Sequence, residues 1–430
     1  MKFFYNNKIT TLFFAVSITL LIYVFYKSEI IHAGNKRLYY AQYYVLSLTF
    51  IILSLVSFFL DKNKKINLIL ILISFFFSFY LIEGIIINKY FFYKKFDLRD
   101  RYQVYKDLKK VNKNIILTID PHNYIKKKNL DFFPLSGISN LETIHCNENG
   151  YYSIYQSDRY GFNNPDSEWE KKEIDYILVG DSFLHGACVN RPNDVSGVLR
   201  KHYKKNVLNL GYSGSGPLIE HATLREYFPK LKVKNIIWVY FEGNDQTDLI
   251  NELNNSILKK YITDVNFNQN LISKQTYINK LNEIHFEKEL IKTKKERIIN
   301  FFKLGNLRNI ILPVKGYKEK SVTIQPKPSK EFIKILKFSK KLAEKNNSNF
   351  YFLYLPDFFR YSEIKSDDND YKKNEIIKII NELNINLLDF HSEIFSKTSN
   401  PKSFFPYEKN NHYTPEGYKI LAKYIFDKTN

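Results

Sequence analysis

Three long apolar runs open the chain before any regular alternation of polar and apolar positions begins. They are Ile9–Tyr26, a stretch within Ala41–Leu60, and Ile66–Ile87, in which Glu83 is the single charge. Each approaches the roughly 20 residues that a helix needs to cross a bilayer. A cleaved signal peptide has a shorter apolar centre and is not followed by two further spans. The pattern therefore predicts three retained transmembrane helices (about 9–26, 41–60 and 66–87) in a membrane region 1–97. Lys2, Lys8, Lys62, Lys64 and Lys65 fall on one side of these helices, and Lys27, Lys36 and Arg37 on the other. The positive-inside rule then puts the N-terminus in the cytoplasm and the chain after Ile87 in a periplasmic or extracellular space. Lys89, Lys94, Lys95, Arg99 and Arg101 oppose that orientation, but they head a long domain, where the rule weakens. Glu83 has two readings, a functional intramembrane carboxylate or a solvated one near a helix end.

From Leu98 the pattern becomes that of a water-soluble fold. Residues 98–172 form a lead-in segment with strand-like pieces at Asn114–Ile119 and Tyr151–Tyr155. Five compact apolar runs follow: Ile174–Gly180, Asn206–Gly211, Asn235–Phe241, Asn349–Leu355 and Ile385–Phe390. Helical periodicity separates them. Short continuous apolar strands alternating with helices predict an α/β domain with a five-stranded parallel sheet covered on both faces. Between the third and fourth runs, residues of about 250–345 are rich in Lys, Asn and Glu and read as a helical insertion with flexible ends. Pro326 and Pro328 interrupt it before a helix at about Lys330–Glu344.

Composition narrows the function classes. The formal charge is +20, but the basic residues are spread along the chain and accompany no nucleic-acid motif, so no nucleic acid is expected as a partner. Attraction to anionic lipid or acidic polysaccharide stays open. Two cysteines are too few for a disulfide scaffold or a cysteine-based metal centre. Two readings of Cys146 and Cys188 stand side by side: a disulfide, which requires an extracytoplasmic domain and would brace the loop after Ser182, or two free thiols.

In an open parallel sheet, ligands bind beyond the carboxyl ends of the strands. Three predicted strands end in unusual residues. The first runs into Gly180-Asp181-Ser182-Phe183, the second into Gly211-Tyr212-Ser213-Gly214-Ser215-Gly216, and the third into Glu242-Gly243-Asn244-Asp245. Late in the chain, His412 precedes a final helix for which Thr414 and Pro415 fit the N-cap and first turn. This set suits acyl transfer. A serine at a strand-to-helix turn exposes its hydroxyl, and a glycine on the next turn lets a backbone N–H approach an oxyanion. The Asn244 amide supplies another donor, and His412 takes the serine proton.

The four blocks resemble the SGNH/GDSL hydrolase superfamily over about Glu173–Asn430, with the insertion outside the match. The resemblance implies that Ser182, Gly214, Asn244 and His412 are the catalytic residues. It also implies a three-layer α/β/α fold and ester hydrolysis or acyl transfer without a cofactor or metal. Together with the three-helix lead, it is similar to membrane-linked relatives that act on acyl groups of surface polysaccharides. The expected partners are an acylated carbohydrate or other ester substrate and the lipid bilayer.

In one respect the chain departs from the family. An aspartate is usual two or three residues before the histidine, where this chain has Asn410 and Lys409, and the nearest acid is Glu408. The expectation is therefore a Ser182–His412 dyad, with Asn410 or a backbone carbonyl steadying the ring. Asp181, Gly211, Asp245, Asp248, Asp389 and His391 are expected to be structural, and His185 to pack or to line the pocket. Two function classes remain: a membrane-anchored serine esterase or O-acyltransferase, and a non-catalytic envelope binding or assembly protein that keeps the fold.

Overall fold

The structure is a computed structural model of the 430-residue chain and describes residues 8–87, 96–228, 232–311, 326–362 and 368–430. Two compact units emerge, one comprising Met1–Asn88 with Glu296–Glu319 and the other Lys89–Lys295 with Lys320–Asn430. The chain begins with three helices, α1 (Lys8–Phe25), α2 (Arg37–Ser57) and α3 (Lys62–Ile87). It continues through α4 (Arg101–Lys109), β1 (Ile115–Leu117), β2 (Glu142–Ile144), β3 (Ile154–Gln156) and β4 (Glu173–Val179). Next come α5 (Ser182–His185), α6 (Val195–Tyr203), β5 (Val207–Asn209), α7 (Pro217–Tyr227) and β6 (Lys232–Phe241). The helices α8 (Asp245–Glu252), α9 (Ser256–Thr263), α10 (Gln275–Phe302), α11 (Gly305–Ile311) and α12 (Lys330–Lys345) follow. The chain closes with β7 (Asn349–Leu355), α13 (Asp368–Glu382), β8 (Asn386–Asp389), α14 (Phe390–Glu393) and α15 (Pro415–Thr429).

The first unit is inverted relative to a water-soluble protein. Thr10, Ser17, Ser47, Ser54 and Ser57 are buried, while Leu12, Ile22, Ile52, Ile73 and Phe77 are exposed. That pattern suits a hydrocarbon surround, and α1 with its continuation to Ile31, α2 and α3 are long and apolar enough to cross a membrane. The inward serines donate to carbonyls of their own helix, Ser17 to Phe13 at 2.8 Å and Ser47 to Tyr43 at 2.7 Å, so burial leaves no hydroxyl unpaired there. Glu83 is fully buried rather than solvated. Its carboxylate accepts from the backbone N–H groups of Asn306 (3.0 Å) and Leu307 (2.7 Å) and from the Asn306 side chain (2.9 Å). Four residues of apolar sequence on either side thus tolerate one charge because it caps the first turn of α11.

In the second unit β4 to β8 form an all-parallel sheet in the order β5-β4-β6-β7-β8. The five runs expected to be strands are the five strands of this sheet. Alternation assigns their side chains to two cores. Ile177, Val179, Trp238 and Phe352 face one, which α7 covers with Leu218, Ile219 and Ala222, and α12 with Phe332, Ile335 and Leu336. Tyr176, Leu178, Ile237, Val239 and Leu353 face the other, which α6 covers with Val195, Val198 and Leu199, and α15 with Tyr418, Leu421 and Ile425. The i, i+3, i+4 spacing of these helical residues is the reason those faces turn inward. Each such aliphatic side chain contributes about 1.5–3 kcal/mol by leaving water. The result is three layers, α/β/α.

The segment expected as an insertion is less separate than its composition suggests. Leu249, Leu258, Tyr261, Ile262, Leu271 and Ile278, from α8 to the start of α10, belong to the first core. The lead-in segment forms its own three-stranded sheet, with β1 and β2 parallel and β2 and β3 antiparallel. Of these strands β2 is Glu-Thr-Ile, which stands in no continuous apolar run.

Candidate active site

The order of the sheet puts β4 at the point where the chain reverses direction across it. β5 lies on one side of β4 and β6 on the other. The loops after these three strands therefore share one edge, at the switch point where α/β sheets bind ligands.

Ser182 opens α5, one turn of helix directly after β4. Asp181 makes the turn. Its buried carboxylate accepts from the Phe183 N–H at 2.9 Å, and Gly186 ends the helix at φ +78°. Burial pushes the Asp181 carboxyl upward, with the Phe183 N–H opposing. Asp181 thus shapes the turn, while the Ser182 hydroxyl stays accessible at its tip.

That hydroxyl lies 2.8 Å from His412 Nε2. A large aromatic cluster fixes the histidine through its neighbour. Tyr413 is fully buried, with ring centroids 4.8 Å from Phe183, 5.3 Å from Phe405 and 5.8 Å from Phe395. Thr414 caps α15 by accepting from the Gly417 N–H at 3.1 Å, a cap worth about 1 kcal/mol. His412 therefore sits between a packed ring and a helix start, with its own ring 4.9 Å from that of Phe183.

The far side of the imidazole corrects the expected dyad. Nδ1 lies 3.0 and 3.1 Å from the two carboxylate oxygens of Glu148, and the His412 backbone N–H donates to the same carboxylate at 2.7 Å. Asn410 is exposed, and Glu408 accepts instead from Asn400 at 2.8 Å. Burial pushes the Glu148 carboxyl up, but the hydrogen bond and charge of His412 outweigh it and hold the group below the usual carboxylate range. An ionised carboxylate only accepts, so Nδ1 carries the proton and Nε2 presents its lone pair to the serine O–H. Glu148 comes from the loop after β2, more than 260 positions before the histidine, where no local motif marks it. The usable signal was Cys146. It forms a disulfide with Cys188, six residues after Ser182, so Glu148 lies two residues from a cross-link to the serine segment.

Gly214 follows β5 at φ +74°, and a Cβ built there would lie 2.9 Å from the Asp120 Cβ. Both backbone and space require glycine. Among the described residues its N–H has no acceptor. Ser213, beside it, is held by His145 Nε2 (2.8 Å) and His185 Nδ1 (3.1 Å). Burial lowers both imidazoles, so they act as neutral struts. His185 thus packs beneath the glycine turn, one of its two expected places. Asn244 is the N-cap residue of α8 after β6, and among the described residues its buried amide oxygen has no partner. Phe241, the last residue of β6, packs its ring 4.5 Å from that of Phe183. The structure thus brings Ser182 and His412 into contact and places Gly214 and Asn244 on the two flanking strand ends.

Two of the other acids hold local structure. Asp245 accepts from the Phe241 N–H at 2.9 Å, and Asp389 pairs with Lys373 at 2.7 Å. His391 contacts the Tyr361 hydroxyl at 2.7 Å. Among the described residues, Glu148, Cys188 and His412 are the one group whose donor atoms are close enough to hold a metal ion. Cys188 is committed to the disulfide and offers no thiolate.

No family model and no curated protein matches the chain. Solved structures do. A protein assigned to the lipolytic G-D-S-L family from Desulfitobacterium hafniense is 16% identical, with a TM-score of 0.32 over 59% of this chain and 98% of its own. The acetyl xylan esterase AlAXEase is 12% identical, with a TM-score of 0.33 over 60% and 100%. The acetylxylan esterase Axe2 from Geobacillus stearothermophilus is 13% identical, with a TM-score of 0.30 over 60% and 94%. At such identities and TM-scores no residue role passes from these proteins to this chain.

Proposed function

We propose that the chain is a membrane-anchored serine esterase or O-acyltransferase of the SGNH type, acting on acyl esters of a carbohydrate or another cell-envelope substrate. One observation carries the reading: the Ser182 hydroxyl 2.8 Å from His412 Nε2, with Nδ1 of the same ring against Glu148. His412 takes the serine proton as Oγ bonds to the acyl carbon. The carbonyl becomes an oxyanion, which the N–H groups of Ser182 and Gly214 and the Asn244 amide hold. Collapse breaks the ester bond, and the proton on Nε2 leaves with the alcohol. An acyl-serine remains. Water or a sugar hydroxyl then gives its proton to His412 and attacks the same carbon, and as the acyl–Oγ bond breaks His412 returns that proton to Ser182. Water makes the reaction a hydrolysis, and a sugar hydroxyl makes it a transfer.

The envelope setting is supported by the three apolar helices, and the extracytoplasmic side by the disulfide together with the lysine distribution. The test is labelling of the full-length chain in detergent micelles by a serine-directed fluorophosphonate. The native chain is expected to label and to hydrolyse p-nitrophenyl acetate, and Ser182→Ala to do neither while melting at the same temperature. A native chain that fails to label removes the catalytic reading.

A further inference from the structure

The bond between Cys146 and Cys188 sits unusually close to the chemistry. Cys146 lies two residues before Glu148, and Cys188 six residues after Ser182. The Cys188 sulfur is within 4.8 Å of both a Glu148 oxygen and a His412 ring nitrogen. One covalent link thus ties the loop that carries the carboxylate to the segment that carries the serine.

Little else does so. The loop is Cys-Asn-Glu-Asn-Gly, polar throughout and only half-buried. It closes on itself through the His145 N–H to Ser153 and the Ser153 N–H to Cys146, at 2.8 and 2.9 Å. Its ties to the serine side are Asn149 Nδ2 donating to the Cys188 carbonyl at 3.1 Å, and the Ile154 N–H donating to Asn190 at 2.8 Å. No apolar side chain of the loop anchors it in either core of the sheet. Cys188 itself is held at φ +60°, a region that non-glycine residues avoid unless their surroundings impose it. The large sheet positions Ser182 and His412 by packing, whereas the Glu148 loop is held by the disulfide and by polar ties, among them Asn147 Nδ2 donating to the Asp97 carbonyl at 2.7 Å and the Asp97 N–H donating to the Gly150 carbonyl at 2.8 Å.

From this geometry we infer that Cys146 and Cys188 are positioning residues for the Glu148–His412 pair, and that the activity proposed above depends on their oxidation state. The inference rests on that proposal. Reduction by a dithiol breaks the S–S bond. The dithiol supplies two electrons and two protons, two thiols form on the protein, and the dithiol becomes its own disulfide. Cys146 is partly exposed and Cys188 fully buried, so a reductant would have to attack from the Cys146 side. Once it is open, the Glu148 loop is free to leave His412, the Nδ1 proton loses its acceptor, and the tautomer that faces the serine is no longer selected.

The experiment uses the full-length chain in detergent micelles, with p-nitrophenyl acetate as substrate. Reduction with dithiothreitol is expected to lower kcat about tenfold or more with KM little changed, as for loss of an interaction made in the transition state. Reoxidation should restore it. Cys146→Ser/Cys188→Ser should match the reduced enzyme. The decisive arm repeats both treatments on Glu148→Gln, where reduction should cost almost nothing further because the bond acts through that carboxylate. Unchanged kcat on full reduction overturns the inference while leaving the hydrolase intact. An equal loss in the Glu148→Gln background also overturns it, since the bond would then support the fold rather than the carboxylate. An oxidised native chain without turnover or labelling overturns the hydrolase reading, and this inference with it.

Discussion

The five-stranded sheet and the small sheet before it both deliver residues to the candidate site, but by different means. The large sheet holds Ser182, Gly214 and Asn244 on three adjacent strand ends, backed by two apolar cores. The small sheet has three strands of three residues each, and a core of Val104, Ile115 and Ile144 with a few partly buried neighbours. Ile116 of β1 joins the first core and the Tyr155 ring of β3 lies 5.2 Å from that of His185, but the contacts nearest the chemistry are polar or covalent: Glu148 to His412, His145 to Ser213, Cys146 to Cys188. Packing places a residue because a whole face must be buried, and many side chains share the task. Polar and covalent ties place a residue one at a time. The second kind of support is therefore the more sensitive to single substitutions.

Glu148→Gln tests this contrast with the largest expected effect. Gln keeps the shape but not the charge, so it neither fixes the tautomer as strongly nor stabilises an imidazolium. The expected loss in kcat is roughly 10³- to 10⁴-fold, with the melting temperature almost unchanged. Glu408→Gln and Asn410→Ala, on the loop of the histidine itself, should leave the rate within about twofold. Steady-state kinetics on the three variants checks this. A severe loss in Glu408→Gln with a mild one in Glu148→Gln would return the acid to the histidine loop.

This contrast also accounts for what could be read from the sequence. Ser182, Gly214, Asn244 and His412 lie in short blocks at strand ends, and the strands announce themselves as apolar runs. The parallel sheet and its two covered faces followed from the same pattern, but the order of its strands did not. Glu148 had no such marker, because its role depends on a contact more than 260 positions away. A search for the acid near the histidine led to Asn410, Lys409 and Glu408, all of them exposed. The strand β2 was not legible because Glu-Thr-Ile stands in no continuous apolar run, whereas β1 falls within Asn114–Ile119. The burial of α8 and α9 was hidden by their polar composition, since only one face of each helix is apolar. Glu83 was visible as an oddity, but its partners, Asn306 and Leu307, lie more than 220 positions away.

Gly214→Ala probes where the two regions meet, and a smaller effect is expected. The added methyl meets Asp120 of the lead-in segment at 2.9 Å, and the φ of +74° is unfavourable for alanine by roughly 1–2 kcal/mol. Displacing this N–H from the oxyanion should cost about 10²-fold in kcat. Adding Asp120→Gly removes the atom struck by the methyl but not the backbone strain. The double variant should regain part of the rate and not all of it. If Asp120→Gly changes nothing in the Gly214→Ala background, the lead-in segment does not press on that turn.

The smallest effect concerns stability against pH, where carboxylates of the two regions point in opposite directions. In α8, burial and then the Asp181 charge push Asp248 up to about 7, and burial and then the Asp248 charge push Glu252 up to about 8. Glu252 accepts from the N–H groups of Gly216 at 2.6 Å and Leu218 at 2.8 Å, which oppose the shift without cancelling it. A carboxyl held neutral in the fold binds a proton that the unfolded chain has already released. Its contribution is complete below the ordinary carboxylate range and is lost as pH rises through the folded value. Glu148 behaves in reverse: held below its usual range, it stabilises at neutral pH and loses that contribution only in acid. The melting temperature should therefore fall between about pH 5 and about pH 8. Glu252→Gln should flatten that fall, because the amide oxygen still accepts from the Gly216 N–H while nothing titrates. Glu148→Gln should leave the slope in that window untouched and flatten only the limb below the ordinary carboxylate range. Thermal melts of the native chain and both variants across the two windows separate the regions. A Glu252→Gln variant with the native slope would mean that the carboxylates near α8 are ionised in the fold.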